Sequence, residues 1–281
     1  MIAGLALAAG LALLRPGFVA RAAEDGAAFA LKGQLTQGGW ARGVAPSDAV
    51  SLSFNGRRVP LAADGGFFIA FDRDSQAKGE LRAELQGGAA AQGTIAISPR
   101  AWNLEHIAIG PRPGTPPNEA YARRRAGELA LINAARRKDH DAAGWRQKLI
   151  WPVYGRISGR FGSQRIYNGT PGSYHSGIDI ATGASGTPFV APADGVVTLA
   201  ATSPFSLEGR LLMIDHGMGL NSAFLHASKL VVKAGDVVRQ GQYIGNIGMT
   251  GRATGPHLHW SLKWNEARLD PLLFAGAMGS Q

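Results

Sequence analysis

The chain of 281 residues contains no cysteine. That excludes disulfides, thiolate metal sites and a cysteine nucleophile, so any zinc site must be built from histidine and carboxylate. A G-x-S-x-G elbow is also missing, which argues against an acyl-enzyme route through serine. Histidine is scarce, with 7 in the whole chain, and charged residues make up only 17%. No apolar run is long enough to span a bilayer comfortably; the longest, Ile2 to Leu14, falls short of the roughly 20 residues a spanning helix needs. Acidic residues are outnumbered, 20 against 29 basic, for a formal charge of +9. No nucleic-acid motif accompanies that excess. It reads either as a solubility charge or as attraction to acidic wall polymer or phosphate-bearing lipid.

What is present is glycine, at 39 residues, and a 45% hydrophobic content, a globular and turn-rich composition that favours β structure. The opening stretch ends in the small-x-small pattern Ala20-Arg21-Ala22 ahead of Glu24. This predicts a secretory signal peptide over residues 1–22, cut near Ala22, with an uncleaved anchor as the alternative. The mature protein is then expected in the periplasm or cell envelope, without a membrane span.

Residues 23–110 are predicted to form a small β-sandwich. "AVSLSF" alternates so that Val50, Leu52 and Phe54 share a face, and Asn55-Gly56 after it is a hairpin signal. Asp64-Gly65 marks another turn, and short strands follow at "ELRAEL" and "GTIAIS". No catalytic grouping occurs in this part. Residues 111–148 read as a Pro-rich linker and a helix capped by Asn118 or Thr115, with Ala122, Ala126, Leu129 and Ala130 as a weak apolar stripe and arginines elsewhere. A solvated linker helix is expected. Residues 149–275 return to short strands between glycine turns and hold five of the histidines. "APADG" and "KAGDVVRQG" also occur in biotin and lipoyl carriers, but the turn "MTGRATG" lacks the lysine that a carrier displays. The overall expectation is a mainly β protein with antiparallel sheets.

Three pieces of the last segment carry chemistry. "YHSGIDIA" places His175 and Asp179 at i and i+4, "AFLHAS" ends a short apolar strand with His226, and "GPHLHW" sets His257 and His259 one residue apart. In a strand, His257 and His259 point to one face. A His-Asp-His set suits catalytic zinc, which takes three protein ligands and keeps one position for water. The remaining histidines could move protons. His216, Asp215 and Asp194 read as turn or structural residues, and His106 and His140 as surface or satisfied core positions. Trp260 and Trp264 are expected to pack beneath the site, and Tyr174 to stand beside the cleft.

H-x-x-x-D, a lone histidine and H-x-H, in that order and set among "APADG" and "GRATGPHLHW", closely resemble the lysostaphin and LytM type of zinc metalloendopeptidases over about residues 150–272. The resemblance implies that His175, Asp179 and His259 ligate one zinc ion with its water, and that His226 and His257 flank that water and the scissile carbonyl, one of the two acting as general base and both able to stabilise the oxyanion. It implies hydrolysis of peptide cross-links in peptidoglycan, with stem peptides as substrate. Family members without their ligands act as non-cleaving activators of other wall hydrolases; retention of all five positions here favours an enzyme. A regulatory envelope partner, relieving cover of the groove by the N-terminal part or the Arg-rich helix, is a further expectation.

Overall fold

The structure is a computed structural model that describes residues 29–108 and 118–279. The expected leader, its cut near Ala22, the proline run at 111–117 and the alternative cap at Thr115 lie outside the described residues.

The N-terminal part consists of two antiparallel sheets. One orders Lys32–Gln34, Trp40–Val44 and Gly66–Ala70; the other orders Arg57–Val59, Ala49–Phe54, Lys78–Leu85 and Ala90–Ala96. In Lys78–Leu85 the alternation turns Gly79, Leu81 and Ala83 inward and leaves the intervening polar residues outside. The hairpin at Asn55-Gly56 forms with φ of 48° and 74°, the left-handed pair that a tight type I′ turn requires. Leu52 and Phe54 are buried as the alternation predicts, but Val50 is 59% exposed. The pairing register shifts between Ala49 and Ser51, and this bulge turns Val50 away from the face of Leu52.

Helix α1 (Glu119–Arg136) starts at Asn118, whose side chain accepts from the Tyr121 amide. Its docking face differs from the expected stripe. Ala122, Ala126, Leu129 and Ala130 are exposed, whereas Glu128, Ile132 and Ala135 are buried. Ile132 and Ala135 join Ala201, Phe205, Leu211, Met213 and Ala223 in a cluster on the outer face of the large C-terminal sheet. The helix is therefore docked along its C-terminal half. A stripe defined by apolarity missed it because the inward position of the middle turn is a glutamate.

The C-terminal part is built on an eight-stranded sheet. Its path runs Val237–Val238, Gly195–Ala200, Arg210–Asp215, Leu220–Ala227, Leu258–Trp264, Ile178–Ala181 and Arg156–Gly159, with Ala267–Leu269 also paired to Leu258–Trp264. Every ladder in it is antiparallel. A three-stranded sheet of Pro188–Val190, Tyr243–Asn246 and Lys229–Leu230 packs against it, Phe189 stacking on Phe224 at 5.5 Å. Leu220–Ala227 is buried almost throughout, as befits a central strand covered on both faces.

The two parts share one core. Trp264 stands edge-on to Phe68 at 6.3 Å and tilts against Phe54 at 6.4 Å, and Trp40 meets Phe274 of helix α2 (Pro271–Ala275) at 5.6 Å. Trp264 thus fills the seam with the sandwich, while Trp260, fully buried, packs on Trp151 beneath the large sheet. Arg100 pairs with the buried Asp270 at 2.8 Å, and the Arg268 amide donates to Asp72 at 2.8 Å. Leu104–Ile107 runs parallel to Gln164–Tyr167, joining the end of the N-terminal part to the C-terminal one. Among the described residues no helix is long and apolar enough to cross a membrane.

Because Phe68 is wholly buried at this seam, Phe68→Ala should cost about 3–5 kcal/mol. Denaturant unfolding checks it: the midpoint should fall while the slope stays constant and a single transition persists.

Candidate metal centre

Ladder register brings the first two groups together. Asp179 lies directly opposite His259 in the pairing of Ile178–Ala181 with Leu258–Trp264. Along the latter strand Leu258, Trp260, Leu262 and Trp264 are buried on one face, so His259 projects from the other. His257 sits just before the strand, bridged to Gly248, and its imidazole turns to the same side as His259. His175 precedes the Asp179 strand, where its amide donates to Ser163 O and its carbonyl accepts from the Gly162 amide.

Three side-chain atoms converge. Asp179 Oδ1 is 2.8 Å from His259 Nδ1 and 3.1 Å from His175 Nε2, and those two nitrogens are 3.1 Å apart. Donors set tetrahedrally at the usual ~2.0–2.1 Å from zinc stand ~3.3 Å from one another, so the triangle has the right size for one ion. Its chemistry fits as well. His175 Nδ1 can only donate to Arg160 O, at 3.1 Å, which in the neutral ring leaves the lone pair on Nε2 aimed at the other two atoms. Two glycines leave the space. A Cβ on Gly177 would come within 2.6 Å of His259 Nε2, and one on Gly159 within 2.4 Å of Asp179 Oδ2. The described residues contain no other group of three such side chains placed to hold a metal ion.

His226 and His257 stand beside this triangle. Their ring centroids are 4.8 Å apart, and His257 Nε2 is 3.8 Å from Asp179 Oδ1. His226 Nδ1 donates to Thr250 O and His257 Nδ1 to Gly255 O, each at 2.8 Å. Both rings therefore hold Nε2 free for chemistry. His226 owes its direction to a bulge: between Arg210/Leu212 and Phe224/Ala227 the register shifts, and His226 takes φ of 66°. That left-handed conformation is uncommon for a residue with a Cβ and persists only where the surroundings over-determine it.

The electrostatics follow from this crowding. Burial alone would raise the Asp179 carboxyl, but hydrogen bonds from His175 and His259, with their charge, hold it well below the usual carboxylate range. Burial works against the charged form of His175 too, yet Asp179 wins and its imidazole is raised. For His259 burial prevails over Asp179, and for His226 burial prevails over the Thr250 carbonyl, so both are lowered.

The other predicted residues lie elsewhere. His216 is buried, with Nδ1 on Asp194 O and Nε2 on Ser222 Oγ, both at 2.7 Å, and Asp215 is buried and accepts from His140 Nδ1 at 2.9 Å and from the Gly217 amide. Asp194 takes the Gln240 amide at 2.7 Å, and His106 is exposed on a strand. Tyr174 packs edge-on against Phe161 and under the guanidinium of Arg73 at 4.5 Å. Arg73 was not singled out by the sequence. It reaches from the N-terminal part to donate to Gly162 O at 3.1 Å and Gln164 Oε1 at 2.9 Å, bracing the loop that pairs with His175. Gly159 and Thr250 were missed as well, since neither belongs to a metal-ligating residue type.

Residues 173–271 match Peptidase family M23. The chain is 42% identical over 108 residues to peptidoglycan DD-endopeptidase ShyA of Vibrio cholerae, covering 38% of this chain and 24% of that protein. It is 38% identical over 123 residues to DD-carboxypeptidase/endopeptidase Mpg of Neisseria meningitidis, covering 44% and 28%. The chain spans between 20% and 30% of the curated relatives it matches. A Pseudomonas aeruginosa chain solved as a candidate M23 peptidase superposes with a TM-score of 0.66 at 29% identity, covering 86% of this chain and 95% of that one. That likeness extends through the N-terminal part as well as the domain with the histidines.

Calorimetric titration with zinc should show one site, lost in Asp179→Ala and His259→Ala and kept in His226→Ala. Where His175 is protonated, binding must displace that proton, and Asp179, outweighing burial, raises its pKa from the ordinary imidazole value. Affinity should therefore fall as pH drops through that raised value, and heats measured in buffers of different ionisation enthalpy should reveal the proton released.

Proposed function

We propose, from the premise that the C-terminal domain of this chain belongs to peptidase family M23, that the protein is a zinc-dependent endopeptidase hydrolysing the peptide cross-links of bacterial peptidoglycan. The observation that carries this reading is the triangle of His175 Nε2, Asp179 Oδ1 and His259 Nδ1, with two further imidazoles presenting free Nε2 atoms beside it. The relatives named for DD-endopeptidase activity support a D,D-bond between stem peptides as the substrate. An envelope location, reached through the leader at residues 1–22, follows from that substrate.

In this reading His175, Asp179 and His259 hold the zinc ion, which when bound supplies a Lewis acid and acidifies a water toward neutral pH. The protein's own groups do the rest. His226 is neutral near pH 7 because burial lowers its pKa, so its Nε2 can accept the proton of the attacking water and return it to the leaving amine. His257, its ring centroid 4.8 Å from that of His226, presents its own Nε2 lone pair in the neutral tautomer that Gly255 O selects, and would donate to the carbonyl oxygen as negative charge grows there only in the imidazolium form. Hydrogen bonds to Thr250 O and Gly255 O fix both tautomers in advance, so no ring has to reorient during the reaction. The depressed Asp179 stays ionised and balances the cation. A non-cleaving activator would have no use for two such oriented bases.

The full chain loaded with zinc should release cross-link fragments from purified muropeptides without a partner, and stop on chelation. His226→Ala should keep its zinc and lose about 10²–10⁴-fold in kcat. A zinc-loaded wild type that releases nothing, yet speeds a separate wall hydrolase, would establish the activator reading instead.

A further inference from the structure

Helix α1 carries a concentration of polar contacts out of proportion to a spacer. Five side-chain contacts run from one turn of it to a single loop, residues 204–208. Arg124 Nη2 donates to Pro204 O at 2.8 Å. Glu128 Oε1 accepts from the Ser206 amide at 2.7 Å and from Ser206 Oγ at 2.8 Å. Arg125 makes a two-pronged pair with Glu208, Nη1 to Oε2 at 2.6 Å and Nη2 to Oε1 at 2.8 Å. Glu128 also receives Arg124 and Arg125, so the carboxylate that breaks the apolar pattern of the helix is the hub of the contact. The pair is well shielded: the side chains of Arg125 and Glu208 are each 17% exposed. Forked, partly desolvated guanidinium–carboxylate pairs combine energy with fixed geometry, unlike mobile surface pairs.

The opposite side of the same loop is the floor of the His226 bulge. Glu208 O accepts from the His226 amide at 2.9 Å, and Leu207 O accepts from the Arg252 amide at 3.0 Å. The next residue, Gly209, lies so close to Thr250 that a Cβ there would meet its carbonyl oxygen at 2.3 Å. Thr250 O is the acceptor for His226 Nδ1, and Thr250 Oγ1 ties Arg210 N to Ala227 O. Backbone and ring of His226 are thus both held by groups that the loop positions. This histidine sits at φ of 66° and needs such holding.

We propose that helix α1 is a positioning element for His226, with Arg125 and Glu208 as positioning residues that act through the 204–208 loop. The inference rests on the peptidase reading above for its effect on turnover. Neither residue touches the metal triangle or the open side of the site, so their loss should affect the chemical step and leave metal binding intact.

The test uses the full chain loaded with zinc. Arg125→Ala should lower kcat about 10- to 100-fold, the scale of a misplaced catalytic group, with KM and bound zinc unchanged. The exchange of charges, Arg125→Glu with Glu208→Arg, should recover most of that loss. In a His226→Ala background Arg125→Ala should lower the residual rate no further. The ring ¹H–¹⁵N resonances of His226 should move in Arg125→Ala while those of His216 stay. If Arg125→Ala does not fold, Glu208→Gln, which keeps the shape and removes the charge, carries the same expectations. An unchanged kcat, a loss of zinc, or an equal fall in the His226→Ala background would overturn the proposal. A wild type without peptidase activity would sink the underlying reading, and the resonance comparison would still decide whether the helix sets the ring.

Discussion

The pairing of Asp179 with His259 across two antiparallel strands governs everything at the site. Their Cα atoms are register partners, and their side chains meet at 2.8 Å on the face away from the core. Strand side chains alternate, so a slip of one residue would drive both groups into the apolar layer of Leu258 and Trp260 and bring that layer out. The buried face thereby locks the exposed one. A carboxylate in such a place is costly to desolvate, and only the imidazoles around it make its charge tolerable. The same arrangement that lets the apo protein keep Asp179 ionised is the one that a divalent cation would complete.

Around this register the molecule is arranged in widening supports. Gly159 and Gly177 leave room where any side chain would collide with the donors. The loop that pairs with the His175 backbone is braced by Arg73 from the N-terminal part, and the seam behind it is filled by Phe54, Phe68 and Trp264. On the other flank, the loop under His226 is gripped by helix α1. The two segments outside the histidine-bearing domain thus reach different walls of one site, the sandwich touching the side of the first ligand candidate and the helix the side of the candidate base. With Trp264 and Phe274 pressed against the sandwich, separating the parts would bare aromatic surface to water.

Much of this was legible because it rests on short-range pattern. The mainly β character follows from alternation and glycine turns, and the gathering of His257 and His259 on one side follows from the period of a strand. The grouping of His175 and Asp179 with them could be read from motif order. What escaped was set by irregularity or by distance along the chain. The alternation turns Val50 inward and the structure turns it out, because a bulge leaves no trace in an alternating pattern. The apolar stripe of helix α1 points to a different face because Glu128, an acid, is ordinarily counted as solvent-facing, and the loop at 204–208 supplies the partners that make its burial acceptable. Arg73 and Glu208 look like any surface charges until tertiary contact gives them partners.

The parallel pairing of Leu104–Ile107 with Gln164–Tyr167 bears on how such a chain acquires its shape. Its members, such as Glu105 and Arg165, lie 60 positions apart, and Asp179 and His259 lie 80 apart. Contacts between remote positions form late, after the entropy of closing the intervening loops has been lost. The donor triangle consequently depends on closing a loop of 80 positions, a non-local pairing of the kind that slows folding. A chain without the strand Leu258–Trp264 would lack His259 and could not complete the donor triangle.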